Sequence, residues 1–187
     1  MCTPTKVLAV GDSIVAGDHL QWGQWDAWPA RVDPWSCRWA AANRAVGGSG
    51  TADVAARLPG DLALVQPGEV WCLVGTNDLC HVHPDTICGR LAQMAQTAAT
   101  AGARWRQATI TPTAAAYPWR SCHEPDRVAV NAWIRSYFGP SVLDFDATLR
   151  APNGTLDPAY DSGDRLHPNV LGHVRMADTA RNVLAQP

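Results

Sequence analysis

Five short apolar runs, at 6–10, 37–42, 69–74, 104–110 and 141–145, alternate along the chain with stretches of helical pattern at 25–32, 51–65, 84–101, 124–138 and 168–185. Runs of this length suit buried strands, and Pro or Asp near several helix starts marks their first turns. Such a βα series predicts a parallel sheet with helices on both faces, joined by right-handed crossovers. With 187 residues, 47% of them hydrophobic and 17% charged, the chain can bury a substantial core. No linker or low-complexity stretch divides it, so a single domain over 1–187 is expected.

Polar clusters follow the apolar runs. The first run, Val7-Leu8-Ala9-Val10, ends in Gly11-Asp12-Ser13, the way a buried strand delivers a nucleophile. Asn43-Arg44-Ala45-Val46-Gly47-Gly48 and Gly75-Thr76-Asn77-Asp78 follow two further runs, and Asp164-Arg165-Leu166-His167-Pro168 lies near the end. Each cluster alone has a bland reading: Gly-Asp-Ser is more often a plain turn, and Asp-x-x-His a helix start or a surface pair. Four of them in one chain, with a serine, an acid and an imidazole among them, supply what a serine needs to become reactive near neutral pH.

In these four blocks the chain resembles the SGNH, or GDSL, family of serine esterases, lipases and acylhydrolases. The resemblance runs from residue 6 to about 180 and implies a three-layer α/β/α sandwich with a five-stranded parallel sheet in the flavodoxin-like order 2-1-3-4-5. It also implies that Ser13 is the nucleophile, His167 the general base and Asp164 its orienting acid. The Ser13 backbone N–H, the Gly48 backbone N–H and the Asn77 side-chain amide become the oxyanion donors. Ala45 and Gly47 stand where the family often has Gly and Ser, which makes Gly48 the better match in the second block and Gly47 its one-residue alternative. Ile14 replaces the leucine of the GDSL name, a packing residue beside the nucleophile. The stretch from Asn131 through Asp144-Phe145-Asp146 to Asn169 resembles a narrower group of bacterial acylhydrolases, several of which act on carbohydrate esters.

The chemistry requires these residue types. His167 must be neutral at its serine-facing nitrogen while Asp164 holds the other N–H and stabilises the imidazolium. Donors aimed at the developing oxyanion each supply on the order of 3 kcal/mol of transition-state stabilisation. Pro168 suits the first turn of a final helix. Ligands of such folds bind beyond the carboxyl ends of the strands, which brings Ser13, Gly48 and Asn77 to one edge. Asp12 and Asp78 read as structural hydrogen-bonders.

A formal net charge of −2 and scattered arginines give no electrostatic case for nucleic acid or anionic membranes. No run approaches the roughly 20 apolar residues of a membrane span. The chain starts straight into its first strand without a secretory signal, and so reads as cytoplasmic as it stands. A disulfide among Cys37, Cys80, Cys88 and Cys122 would instead point to an oxidising compartment. Cys80, His81, His83 and Cys88 match no common zinc spacing, Cys72 reads as a small buried hydrophobe, and neither metal nor cofactor is expected.

Of nine tryptophans, Trp71, Trp105 and Trp133 fall in core patterns. Trp22, Trp25, Trp28 and Trp35 follow the nucleophile turn, and Tyr117 and Trp119 lie beyond Thr111-Pro112; of these, Trp22, Tyr117 and Trp119 are candidates for the pocket. The expected function is removal of a short acyl group, such as acetyl, from a carbohydrate or small metabolite. Acyl transfer, thioester or lysophospholipid hydrolysis at the same site, and a non-catalytic binding module, are the alternatives. The intact set of five site residues argues against the last.

Overall fold

The computed structural model describes residues 3–33 and 38–185. Strands β1 (Thr5–Gly11), β2 (Trp39–Asn43), β3 (Glu69–Leu73) and β4 (Arg104–Gln107) form a parallel sheet in the order β2-β1-β3-β4. The fifth strand expected at 141–145 shrinks to one parallel bridge between Leu143 and Ala108. It stops there because Asp144 caps a short helix, α6 (Phe145–Leu149), by accepting the Ala147 N–H. The strand expected at 37–42 is β2, and Cys37, like Trp35, lies outside the described residues.

Side-chain alternation along the strands divides the core in two. Leu8, Val10, Val70 and Cys72 face helices α3 (Thr51–Val65), α4 (Pro84–Thr100) and α5 (Arg120–Phe138) through Val54, Leu58, Ile87, Leu91 and Ile134. Val7, Ala9, Trp71 and Leu73 face α2 (Trp28–Arg31), α6 and α7 (Val170–Leu184) through Trp28, Phe145, Met176 and Ala180. The architecture is the α/β/α sandwich with flavodoxin-like strand order.

Helix α3 keeps its expected bounds, whereas the others shift for local reasons. The pattern at 25–32 splits into a 3₁₀ turn, Gly23–Trp25, and α2. Helix α5 begins at Arg120 rather than 124 and carries Pro125 inside it. Its first turn is fixed by the Cys80–Cys122 disulfide and by Arg120 Nη1 donating to the Thr113 carbonyl. Pro168 does not enter α7; Asn169 is the cap, accepting the Gly172 N–H, and Pro168 bridges to Asp161. A further helix that the sequence pattern did not suggest, α1 (Ser13–Ala16), follows β1 directly.

Two buried polar connections hold the segment after β4. Asn131 accepts the Ile110 N–H and donates to the Ile110 carbonyl, both at 2.8 Å. Arg127, 1% exposed, pairs with Asp146 at 2.6 Å and with Glu124 at 2.8 Å, so its buried charge is compensated on both sides. The disulfide spans 42 residues, and closing a loop of that size in the unfolded chain is worth about 4 kcal/mol. Cys72 and Cys88 are free and buried. Among the described residues no helix is long and apolar enough to cross a membrane.

Candidate active site

Ser13 is the first residue of α1, immediately beyond the carboxyl end of β1. Asp12 caps that helix by accepting the Ile14 N–H at 3.0 Å, while Gly17, with φ 78°, ends it. The turn is possible only because Gly11 lacks a side chain: a Cβ there would sit 2.1 Å from the Leu73 carbonyl oxygen of β3 and 2.5 Å from Val15. Burial pushes the Asp12 carboxyl up to about 7, and its Oδ2 has no partner. Asp12 is therefore a cap held in the core, as the structural reading expected.

The segment from Asp161 to Asn169 folds back on itself to present two side chains. Asp161 Oδ1 accepts the Gly163 and Arg165 N–H groups, and the His167 carbonyl accepts the Ser162 N–H. Asp164 Oδ1 accepts the N–H groups of Leu166 and His167 at 2.9 and 2.8 Å. Its Oδ2 lies 2.5 Å from His167 Nδ1, and His167 Nε2 lies 2.8 Å from Ser13 Oγ. Residues separated by more than 150 positions thus form one hydrogen-bonded line.

Partial burial would raise the Asp164 carboxyl, but the two backbone N–H groups and the imidazole outweigh it and hold the group at about 2. An ionised Asp164 places the ring proton on Nδ1 and leaves Nε2 to accept the serine proton. Burial lowers the His167 imidazole below its ordinary 6.5, against the opposing pull of Asp164, which favours the charged ring. His19 adds to the group: its ring stacks on His167 with centroids 3.7 Å apart, and its Nδ1 lies 3.2 Å from Asp164 Oδ2.

The second and third blocks meet beside Ser13. Gly48 has φ 77°, a left-handed conformation suited to glycine, and its N–H makes no hydrogen bond among the described residues. Gly47 is packed closer: a Cβ there would lie 2.1 Å from Asp18 Oδ2 and 3.8 Å from the Ser13 Cβ. Asn77 donates one amide hydrogen to the Ser49 carbonyl at 3.0 Å, which fixes the amide and leaves its second hydrogen free. Among the described residues the Ser13 N–H, at the helix start, likewise makes no hydrogen bond. Asp78 accepts the Thr51 N–H and hydroxyl at 2.7 and 2.8 Å, tying the third block to α3.

Two residues were missed by the sequence reasoning. Arg57 donates to the Gly11 carbonyl and to Ser49 Oγ, both at 2.9 Å, and so ties the first block to the second. Its position in mid-helix gave no signal beyond helical phase. His19 lies six residues after the nucleophile, in the turn that follows α1.

The sequence pattern of the GDSL-like lipase/acylhydrolase family matches residues 9–175, nearly the whole chain. The chain belongs to this family. No curated protein matches it. Its fold is similar to a protein assigned to the G-D-S-L lipolytic family from Desulfitobacterium hafniense, with a TM-score of 0.82 at 23% identity over 96% of this chain and 99% of that one. It is also similar to an acetylxylan esterase from Geobacillus stearothermophilus, with a TM-score of 0.77 at 20% identity over 99% and 96% of the two chains. A psychrotrophic esterase from Pseudoalteromonas, solved as inhibited by monoethylphosphonate, gives a TM-score of 0.73 at 18% identity over 96% of each.

In this GDSL-family hydrolase a cavity of about 170 Å³ adjoins Asn77, walled by Thr76, Leu79, Cys80, Tyr117, Trp119 and His123. Tyr117 and Trp119 both line this cavity. Trp22 does not line this cavity; it is 65% exposed on the turn before Gly23. Trp28, read from sequence as following the nucleophile loop, is instead fully buried between Trp71 and Phe145.

The Cys80, His81, His83 and Cys88 group does not assemble. Cys80 is in the disulfide, the Cys88 thiol is buried in the core, and His83 caps α4 by accepting the Asp85 N–H. His19, Asp164 and His167 do bring potential ligand atoms within 4.8 Å of one another.

Proposed function

We propose that this protein hydrolyses esters of short acyl groups on carbohydrate or small-metabolite alcohols through an acyl-enzyme on Ser13. The observation that carries the reading is the unbroken line from Ser13 Oγ through His167 to an ionised Asp164. Ser13 Oγ attacks the ester carbonyl carbon as its proton passes to His167 Nε2. The oxyanion that forms is held by the Ser13 and Gly48 N–H groups and the free amide hydrogen of Asn77. Collapse expels the alcohol, which takes the proton from His167. Water, activated by the same imidazole, then attacks the acyl carbon and releases the acid.

Size supports a short acyl group. The cavity beside Asn77 is small, about 170 Å³. Trp119, 64% exposed at its rim, offers an aromatic face to the alcohol portion. The acetylxylan esterase among the structural neighbours is in keeping with this choice. The Cys80–Cys122 disulfide favours an oxidising compartment over the cytoplasmic location first expected.

Acetyl and butyryl esters should be cleaved with higher kcat/KM than esters of about twelve carbons. A monotonic rise out to long chains would overturn the short-acyl reading. An alkyl phosphonate, of the kind that inhibits the Pseudoalteromonas esterase, should label Ser13 and fail on Ser13→Ala. Esterase activity surviving in Ser13→Ala would sink the mechanism.

A further inference from the structure

We propose that His19 is a positioning residue that holds the His167 ring in place and opposes its protonation, so that the general base stays competent at lower pH than Asp164 and His167 would allow by themselves. This rests on the reading of His167 as the base. The geometry comes from two contacts made by one side chain. The His19 ring covers a face of the His167 ring at 3.7 Å between centroids and 20° between planes, and its Nδ1 lies 3.2 Å from the same Asp164 oxygen that faces His167 Nδ1.

Three effects follow, and all act in one direction. The stacked ring keeps water from one face of His167, and loss of hydration disfavours the imidazolium. A positive charge on His19 lies against His167 and opposes a second positive charge there. A charged His19 also engages Asp164, whose carboxylate otherwise favours the charged form of His167. The His19 side chain is 44% accessible and that of His167 11%. Stacking adds a mechanical role, because it restricts rotation of the His167 ring away from Ser13.

The other groups around the pair are fixed by the fold. Asp18, beside His19, and Asp164, on the segment before α7, favour protonation of His167. His173 of α7 is buried neutral, driven down to about 3 by burial. Ser13 of α1 lies at Nε2, and Tyr117, from the segment after β4, has its hydroxyl pKa raised by burial and by the Asp164 charge. None of these replaces the ring that His19 lays over His167.

The test compares wild type with His19→Ala and His19→Phe. His19→Ala removes ring and charge together; His19→Phe keeps a flat ring without a titratable group. The acid limb of the kcat/KM profile for a short ester should move to higher pH by about half to one unit in His19→Ala and by less in His19→Phe. One unit below the wild-type midpoint, His19→Ala should lose a further three- to tenfold. On the alkaline plateau His19→Phe should approach wild type, and His19→Ala should fall below it through looser placement of the base.

Direct NMR titration of the His167 ring in all three proteins gives the same ordering without turnover, so the outcome stands even if the esterase reading fails. Unmoved Ser13→Ala activity would count against that reading alone. Superimposable His167 titrations in the three proteins, or a shift to lower pH on removal of His19, would overturn the role of His19.

Discussion

Asn77 shows how one side chain couples structure to chemistry. Its amide is held by the Ser49 carbonyl at 3.0 Å, so the second hydrogen points without further ordering at the moment of reaction. Asn77→Ala should reduce kcat by about 10²–10³ with a smaller change in KM, since charge on the carbonyl oxygen develops mainly in the transition state. Steady-state kinetics on a short ester checks this, and an effect confined to KM would remove Asn77 from the oxyanion site. Gly48 was legible as the better match in the second block, with Gly47 its one-residue alternative. The backbone separates them: Gly48 has the left-handed φ and the uncommitted N–H, while Gly47 is packed against Asp18 and Ser13.

At the scale of elements, the nucleophile turn depends on how closely β1 and β3 approach. Gly11→Ala places a methyl 2.1 Å from a β3 carbonyl that cannot move without breaking the sheet, and should destabilise the fold by about 3 kcal/mol or more. Gly60→Ala is the contrasting case. Gly60 sits in mid-α3 with open space where a methyl would project, and the change should stabilise by about 0.5–1 kcal/mol. Denaturant unfolding of both variants distinguishes a glycine required by contact from one that merely weakens a helix. Equal effects would contradict this account.

The other elements follow the same division. Helix α3 was readable to its ends because it is bounded by its own sequence, with Asp53 accepting the Gly50 N–H and Gln66 closing the last turn. The start of α5 was not, because a disulfide and an arginine contact with Thr113 extend it past the proline that reads as a boundary. The fifth strand failed for a similar reason: Asp144 is drawn into a cap and into pairing with Arg135 at 2.8 Å.

Across the whole molecule, buried titratable groups set the response to acid. Burial holds His123 down to about 4 and His173 down to about 3, so the folded chain leaves them neutral where the unfolded chain protonates them below 6.5. The Thr76 carbonyl near His123 pulls the other way without reaching hydrogen-bond geometry, and both ring nitrogens stay unpartnered. Each histidine contributes stability above 6.5 that is lost as pH falls towards its folded value. Asp12, held up at about 7, acts oppositely between its ordinary 3.8 and 7, because there the folded state keeps a proton the unfolded state has lost. The lowered histidines, His167 among them, outnumber the raised Asp12, so stability falls as pH drops from 6.5 towards 4. His173→Gln should flatten that slope in denaturant titrations; an unchanged slope would show that other groups govern acid unfolding.

What the sequence determined was local and periodic. Apolar runs of strand length, helical phase between them, and turn-forming residues at their ends are properties of neighbouring residues, and they carried the α/β class and the four polar blocks, whereas the strand order came from the family resemblance. Tertiary structure decided what depends on distance in space. It put His167 2.8 Å from Ser13, laid His19 over the base, joined Cys80 to Cys122 and dispersed the apparent Cys-His cluster. Arg57 and His19 belong to this second group because an arginine in helical phase and a histidine in a turn carry no local mark of what they will touch. Their partners are brought to them only when the strand ends converge.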